Sequence, residues 1–272
     1  MICAKEITFN YKNKPLFKDL TLNLESGNII GLFGKNGSGK TSLLKLLTGL
    51  LKPNEGSFKV DSFTPFNRYP DFLEEIHFVS EEIYQPNLTL KKYIKLYAPF
   101  YKNFDASKMQ RILEEFELKE SYKLQQISFG QKKKFMIAFA LSTNCKYLFL
   151  DEPTNGLDIP SKSTFRKVLV NSIDENQLVI ISTHQVKDIE NLIDDIVILN
   201  NGKIALHKDI DSISKKIQFK SVANTTNYED IIYKEKSLEG YKVMLPVKGN
   251  TETKIDLELL FNAVVSDKNI NL

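Results

Sequence analysis

The sequence predicts an α/β fold built on a mainly parallel core sheet. Three compact apolar runs carry that expectation: NIIGLF at 28–33, YLFLD at 147–151 and LVIIST at 178–183. Each is followed by a polar cluster and then by sequence with helical spacing, the rhythm of strand–loop–helix units. The runs are short, and the first and third are rich in β-branched residues, as expected of strands covered on both faces. With 272 residues, 42% of them apolar, there is material for one large domain or two small ones at about 150 residues each.

The elements follow in order. KEITFNY (5–11) and LTLNL (20–24) alternate apolar and polar residues and read as strands around a turn at Lys12-Asn13-Lys14-Pro15, the start of an antiparallel β subdomain. NIIGLF leads into GKNGSGKTSLLKLLTGLL. There Leu43, Leu44, Leu46, Leu47, Leu50 and Leu51 recur at helical spacing, and Pro53 is expected to stop the helix. EGSFKV (55–60) reads as another strand. From about 85 the pattern turns helical, through SKMQRILEEFEL and GQKKKFMIAFAL, which places a helical subdomain at 82–145 inside a domain spanning 1–211. IVILNNGKIAL (196–206) reads as two strands around Asn201-Gly202, a strong hairpin signal. Residues 212–272, with KVMLPV and the helix-like DLELLFNAVV, are expected to form a small α+β extension.

Composition excludes several classes. The 37 Lys and Arg against 34 Asp and Glu leave a net charge of +3, too weak by itself to argue for nucleic acid. Two cysteines, Cys3 and Cys145, make no disulfide framework, so a reduced cytosolic setting is expected. The N-terminal residues lack the apolar core of a secretory signal. No segment approaches the roughly 20 apolar residues of a membrane helix. If the protein works at a membrane, another chain must span it.

Gly34-Lys35-Asn36-Gly37-Ser38-Gly39-Lys40-Thr41 fits G-x-x-x-x-G-K-[ST] between an apolar strand and a Leu-rich helix. The glycines permit backbone angles that turn successive N–H groups inward around phosphates, and the helix N-terminus adds partial positive charge. Lys40 is placed to reach the β and γ phosphates, and the Thr41 hydroxyl to hold Mg²⁺. Chance yields about one such match per hundred chains of this length.

A second acidic site follows. Asp151 closes YLFLD, so its carboxylate emerges at the C-terminal edge of a parallel strand, beside the phosphate loop, where it could hold Mg²⁺. Glu152 is placed to act as general base on an attacking water. Taken alone, Asp-Glu-Pro-Thr is more often a turn. The phosphate loop in the same chain tips the balance. His184, just past LVIIST, is a candidate for contacting the γ-phosphate; His77 and His207 have no such setting.

In this order the pieces resemble the ATP-binding subunit of ABC transporters, over about residues 1 to 210 and through five motifs. The loop at 34–41, with Ser42 after it, is similar to Walker A. LFLDEP is similar to Walker B, Asp158 of NGLD to the D-loop, His184 to the switch histidine, and Ile127-Ser128-Phe129-Gly130-Gln131 to the signature L-S-G-G-Q. The resemblance implies ATP and Mg²⁺ as cofactors and a P-loop NTPase core. It implies a head-to-tail homodimer in which Ser128, Phe129, Gly130 and Gln131 cover the ATP held by the other subunit. Tyr11 matches the aromatic that stacks on adenine, although a packed strand aromatic is the competing reading. Two positions depart from the pattern. Phe129 stands where the first signature glycine is usual. Glu81 stands where a glutamine touching Mg²⁺ is usual. Lys132, Lys133 and Lys134 read as the solvated face of the signature helix, with Phe135, Met136 and Phe139 inward.

The resemblance implies an ATP-hydrolysing motor at the cytoplasmic face of the cell membrane, held there by a separate polytopic permease and driving export; no nucleic-acid partner is expected. The rival is a soluble ABC ATPase acting on ribosomes or DNA, which usually carries two ATPase units or a long coiled coil. This chain has one phosphate loop, and Lys40 and Ser128 lie 88 residues apart without sustained heptads. A binding module without hydrolysis is the third reading, kept open by Glu81.

Overall fold

Two hydrophobic clusters, one on each face of a six-stranded sheet, organise the chain. The computed structural model describes residues 1–12, 14–226, 228–247 and 253–266; Asn13 of the expected turn lies outside them. β1 (Ile2–Tyr11) and β2 (Lys14–Leu24) pair antiparallel. β3 (Ile29–Phe33) enters the central sheet and is followed, after the phosphate loop, by α1 (Lys40–Leu47). β4 (Glu55–Val60) returns to β1 and completes a three-stranded antiparallel sheet, β2-β1-β4. Then come α2 (Pro70–Glu74) and β5 (Ile76–Val79), and the helices α3 (Leu90–Tyr97), α4 (Ala106–Glu115) and α5 (Phe129–Ser142). β6 (Tyr147–Asp151), α6 (Ile159–Ser172), β7 (Leu178–Thr183), β8 (Asp195–Asn200) and β9 (Lys203–Asp209) complete the core.

The central sheet runs β5-β6-β7-β3-β8-β9, and only β8–β9 is antiparallel. The apolar runs divide by strand alternation. Ile30, Leu32, Tyr147, Phe149, Leu178 and Ile180 belong to the cluster with α1 and the antiparallel sheet. Leu148, Leu150, Val179 and Ile181 belong to the cluster with α4, α5 and α6. Each such side chain stabilises the fold by about 1.5–3 kcal/mol. The register sets Phe33 against Thr183 and Asp151 against Ser182, so the loops after β3, β6 and β7 converge at one sheet edge. At the β8–β9 turn, Asn201 (φ 48) and Gly202 (φ 72) are both left-handed, the geometry the Asn-Gly pair predicts.

Two expectations are corrected. α1 ends at Leu47, two residues before Gly49, and not at Pro53. Gly49 has φ +71, and a Cβ there would lie 2.1 Å from the Pro65 carbonyl oxygen, so only glycine makes this turn. Leu50 is consequently half-exposed. Two of the three lysines of α5 are not on a solvated face: Lys132 is 8% exposed and Lys133 0%, while Lys134 is partly exposed. Lys132 Nζ donates to Gln85 Oε1 at 2.7 Å, and Lys133 reaches carbonyls at the end of β5. Phe135 and Phe139 do face inward, and Met136 is half-buried.

The remaining elements are α7 (Ile210–Lys216), β10 (Ile217–Val222), β11 (Tyr233–Ser237), β12 (Gly240–Pro246) and α8 (Leu257–Val265). The strands form a small antiparallel sheet, β10-β12-β11. Asp256 caps α8 by accepting from Leu259 N. Leu257, Leu260 and Ala263 join the same buried cluster as Val186, Ile189 and Ile193, so the extension packs on the main body. The expected boundary between 211 and 212 falls inside α7.

Candidate active site

The converging loops enclose a cleft of 630 Å³, within the range of about 300–1,000 Å³ usual for small-molecule sites. Its walls include Tyr11, Gly37, Lys40, Thr41, Glu81, Glu152, Asn155 and His184.

The phosphate loop sits beside β3, and α1 points its N-terminus at the cleft. Gly39 (φ 106) begins the helix with no side-chain cap and no acid in the first turn, which leaves the leading N–H groups and their partial positive charge for an anion. The Ser38 hydroxyl is buried without a hydrogen-bond partner, and a Cβ on Gly34 would lie 2.4 Å from it. A Cβ on Gly37 would meet open space, yet its φ of +79 favours glycine. An unpartnered donor, a glycine-lined turn and a bare helix start fit a polyphosphate.

Lys40 is 7% exposed. Its Nζ donates to Gly34 O at 2.9 Å and lies 3.6 Å from Glu152 Oε1. Thr41 Oγ1 donates to Asp151 Oδ2 at 2.7 Å, and Ser182 Oγ donates to Asp151 Oδ1. This hydroxyl–carboxylate pair is a hard-oxygen donor set of the kind Mg²⁺ uses. Glu152 is almost buried and sits at φ 46, a strained angle for a non-glycine residue. Thr183 Oγ1 donates to its Oε2 at 3.1 Å, while His184 N and Nδ1 lie 3.2 and 2.9 Å from its Oε1. An ionised carboxylate only accepts, so Nδ1 carries the proton and Nε2 is the second ring nitrogen available to a ligand. Glu81 Oε1 accepts from Asn155 Nδ2 at 2.8 Å. Tyr11 is half-exposed, edge-on to Phe9, with its hydroxyl 3.1 Å from Ser42 Oγ.

Of the other expected residues, Asn36 and Ser42 line the cleft, and Lys35, Ser128, Phe129 and Asp158 do not. Ser128 caps α5, accepting from Gln131 N at 3.2 Å while the Gln131 side chain accepts from Ser128 N at 3.0 Å. That capping box is legible as S-x-x-Q. Phe129 is 44% exposed and rests on Gly156. Asp158 caps α6 by accepting from Ser161 N at 2.9 Å, and the Ser161 bonds hold its carboxyl below the usual carboxylate range. Lys35 and Asn36 are exposed on the loop. Sequence reasoning missed Asn155, Ser182 and Thr183. The last two stand immediately before His184 at the end of the same strand, which was the available signal.

The fold and cleft are those of a phosphate-loop nucleotide-binding protein. Residues 17–155 match the ABC transporter family. The Bacillus subtilis protein "Uncharacterized ABC transporter ATP-binding protein YdbJ" is 32% identical over 71% of this chain, and the match spans 64% of YdbJ's own length. "SkfA peptide export ATP-binding protein SkfE" of the same organism is 30% identical over 71% of this chain and 83% of its own. A solved dimer of a bacterial ABC transporter cassette superposes with a TM-score of 0.67 at 26% identity, covering 77% of this chain and 99% of that one. The chain belongs to the ABC transporter family, as an ATP-binding subunit carrying the ATPase cassette. Among the described residues no helix is long and apolar enough to cross a membrane.

Proposed function

We propose that this chain is the ATP-hydrolysing motor of an exporter, working as a homodimer that drives a permease on a separate chain. The observation that supports it most is the convergence of Lys40, the Thr41–Asp151 pair and the Glu152–His184 pair on one cleft. ATP lies with its phosphates along 34–42 and its base on Tyr11. Lys40 releases Gly34 O and Glu152 to meet the β and γ phosphates. Thr41 and Asp151, with Glu81 nearby, hold Mg²⁺, which supplies charge neutralisation across the phosphates. Glu152 takes a proton from the attacking water, and its three hydrogen bonds hold the carboxylate in place. His184 orients Glu152 and offers Nε2 toward the γ-phosphate.

Ser128 uses its oxygen to cap its own helix, so its O–H is the part left to donate. In a head-to-tail pair, that hydroxyl and the first N–H groups of α5 cap the γ-phosphate on the partner's loop, with Asp158 at the same seam. Ser128→Arg tests this. ATP affinity of the monomer is expected to stay within about twofold while ATP-induced dimerisation and hydrolysis are lost. Loss of monomer binding would contradict the trans role.

The permease has a candidate seat. A second groove of 720 Å³ between α2, β5 and the end of α3 is lined by Leu50, Arg68, Tyr97, Phe100 and Tyr101, of which Leu50 and Phe100 are largely exposed. In this reading a coupling segment from the membrane partner would seat there and hold the chain at the cytoplasmic face. The similarity to SkfE, a peptide export ATP-binding protein, supports export. Pull-down from membranes is expected to recover a polytopic chain; recovery of ribosomes or DNA instead overturns the transporter reading.

A further inference from the structure

The signature helix carries a cation that the proposed chemistry does not use. Lys133 sits one turn along α5 from Phe129 and has no surface in solvent. Its Nζ donates to the carbonyls of Ser80 at 3.4 Å and Glu81 at 3.3 Å. Burial pushes its ammonium below the ordinary lysine value, and the negative charges of Glu81, Asp151 and Glu152 oppose that shift. Phe129 lays its ring over the same ammonium, 5.8 Å from the centroid, and against Gly156, where a Cβ would come within 2.7 Å of the ring. Asn155, adjacent to Gly156, donates to Glu81 Oε1 at 2.8 Å. Phe129, Lys133, Glu81, Asn155 and Gly156 therefore close a ring of contacts between the signature and the acidic side of the same subunit's cleft. A buried ammonium is costly, and in place of water Lys133 has two backbone carbonyls and the face of the Phe129 ring.

We propose that Lys133 is a positioning residue for ATP: it anchors the Ser80–Glu81 segment, and its charge offsets the additional carboxylate that Glu81 brings beside the phosphate loop. The inference rests on the nucleotide site proposed above. Carboxylates beside a polyanionic ligand repel it, and Lys133 is a buried cation held at the backbone of one of them, Glu81. Phe129 covers that cation where a glycine would leave it open to water.

A double-mutant cycle on the full chain tests this, read as the dissociation constant of ATP by calorimetry, with Mg²⁺ and in EDTA. Lys133→Gln keeps a donor for the two carbonyls but removes the charge. It is expected to weaken ATP binding about tenfold, against less than about threefold when Glu81→Gln is already present, while Lys133→Arg stays within about twofold. The loss in EDTA is expected to be at least as large, because no metal then shares the charge. Equal losses in both backgrounds, full affinity in Lys133→Gln, or a loss confined to Mg²⁺ overturns the proposal. If Lys133→Gln fails to fold by circular dichroism, folding restored by Glu81→Gln supports the charge pairing, and failure in both backgrounds overturns it. Absence of ATP binding by the unmutated chain instead sinks the nucleotide reading itself.

Discussion

Glu152→Gln separates the two electrostatic jobs of one carboxylate. Glu152 accepts from Thr183 and twice from His184, and lies 3.6 Å from Lys40 Nζ with both side chains 7% exposed. At an effective dielectric of about 20, unit charges at that separation attract by about 4–5 kcal/mol. Desolvation of a buried pair offsets most of this, leaving a net preference of about 1–2 kcal/mol. The amide is nearly isosteric and keeps one accepting oxygen, but it frees Lys40 and removes a negative charge from the phosphate site. ATP affinity is therefore expected to rise about tenfold, or about 1.4 kcal/mol. Turnover is expected to fall by about 10²–10⁴, the worth of a general base, or about 3–5 kcal/mol of barrier. Phosphate release measures turnover, calorimetry measures affinity, and gel filtration with ATP reads a trapped dimer. Turnover within tenfold of the unmutated chain refutes the general-base role. Weaker ATP binding refutes the electrostatic account of the Lys40–Glu152 pair.

Three further outcomes follow from the same geometry. Thr183→Val removes one donor from a buried carboxylate, at a cost of about 1–3 kcal/mol, and is expected to lower kcat about tenfold while ATP affinity stays within about twofold. Burial holds the His77 ring down to about pKa 4, with Nδ1 2.7 Å from the Tyr101 hydroxyl. The unfolded chain therefore binds the proton more readily, so this contribution is complete above pH about 6.5 and is lost as pH falls toward 4. Allowing for the ring's partial exposure, the loss is up to about 2 kcal/mol; His77→Phe is expected to flatten the melting temperature over that window, and an unchanged slope refutes it. Asp158→Ala removes the cap of α6 and is expected to lower Tm by about 3 °C, read by thermal melting. An unchanged Tm shows that the cap is dispensable.

The strands of the central sheet were legible because a strand buried on both faces must be an unbroken apolar run, and NIIGLF, YLFLD and LVIIST are such runs. The Asn201-Gly202 hairpin was legible because both of its angles need residues that tolerate the left-handed region. The residues of the cleft were legible as types at strand ends. Their partners were not: Thr183 reads as the last residue of a strand until β7 lies beside β6 and its hydroxyl faces Glu152. The end of α1 was misplaced because Gly49 stops the helix through the close approach of Pro65, sixteen residues later.

By itself the sequence determined what is local: the strand–loop–helix order, the glycine angles of the phosphate loop, and the types of the reactive side chains. These depend on backbone sterics and on spacing within a few residues. Only the tertiary structure decided that Lys133 is buried against the carbonyls of Ser80 and Glu81, that Phe129 rests on Gly156, and that Ser128 is not among the residues lining its own subunit's cleft. A lysine two places after a signature glutamine has the same local preferences whether it meets water or the carbonyls of a distant segment. What packs against its helix is set by segments some fifty residues before it and twenty after, and that assignment carries no mark within the helix.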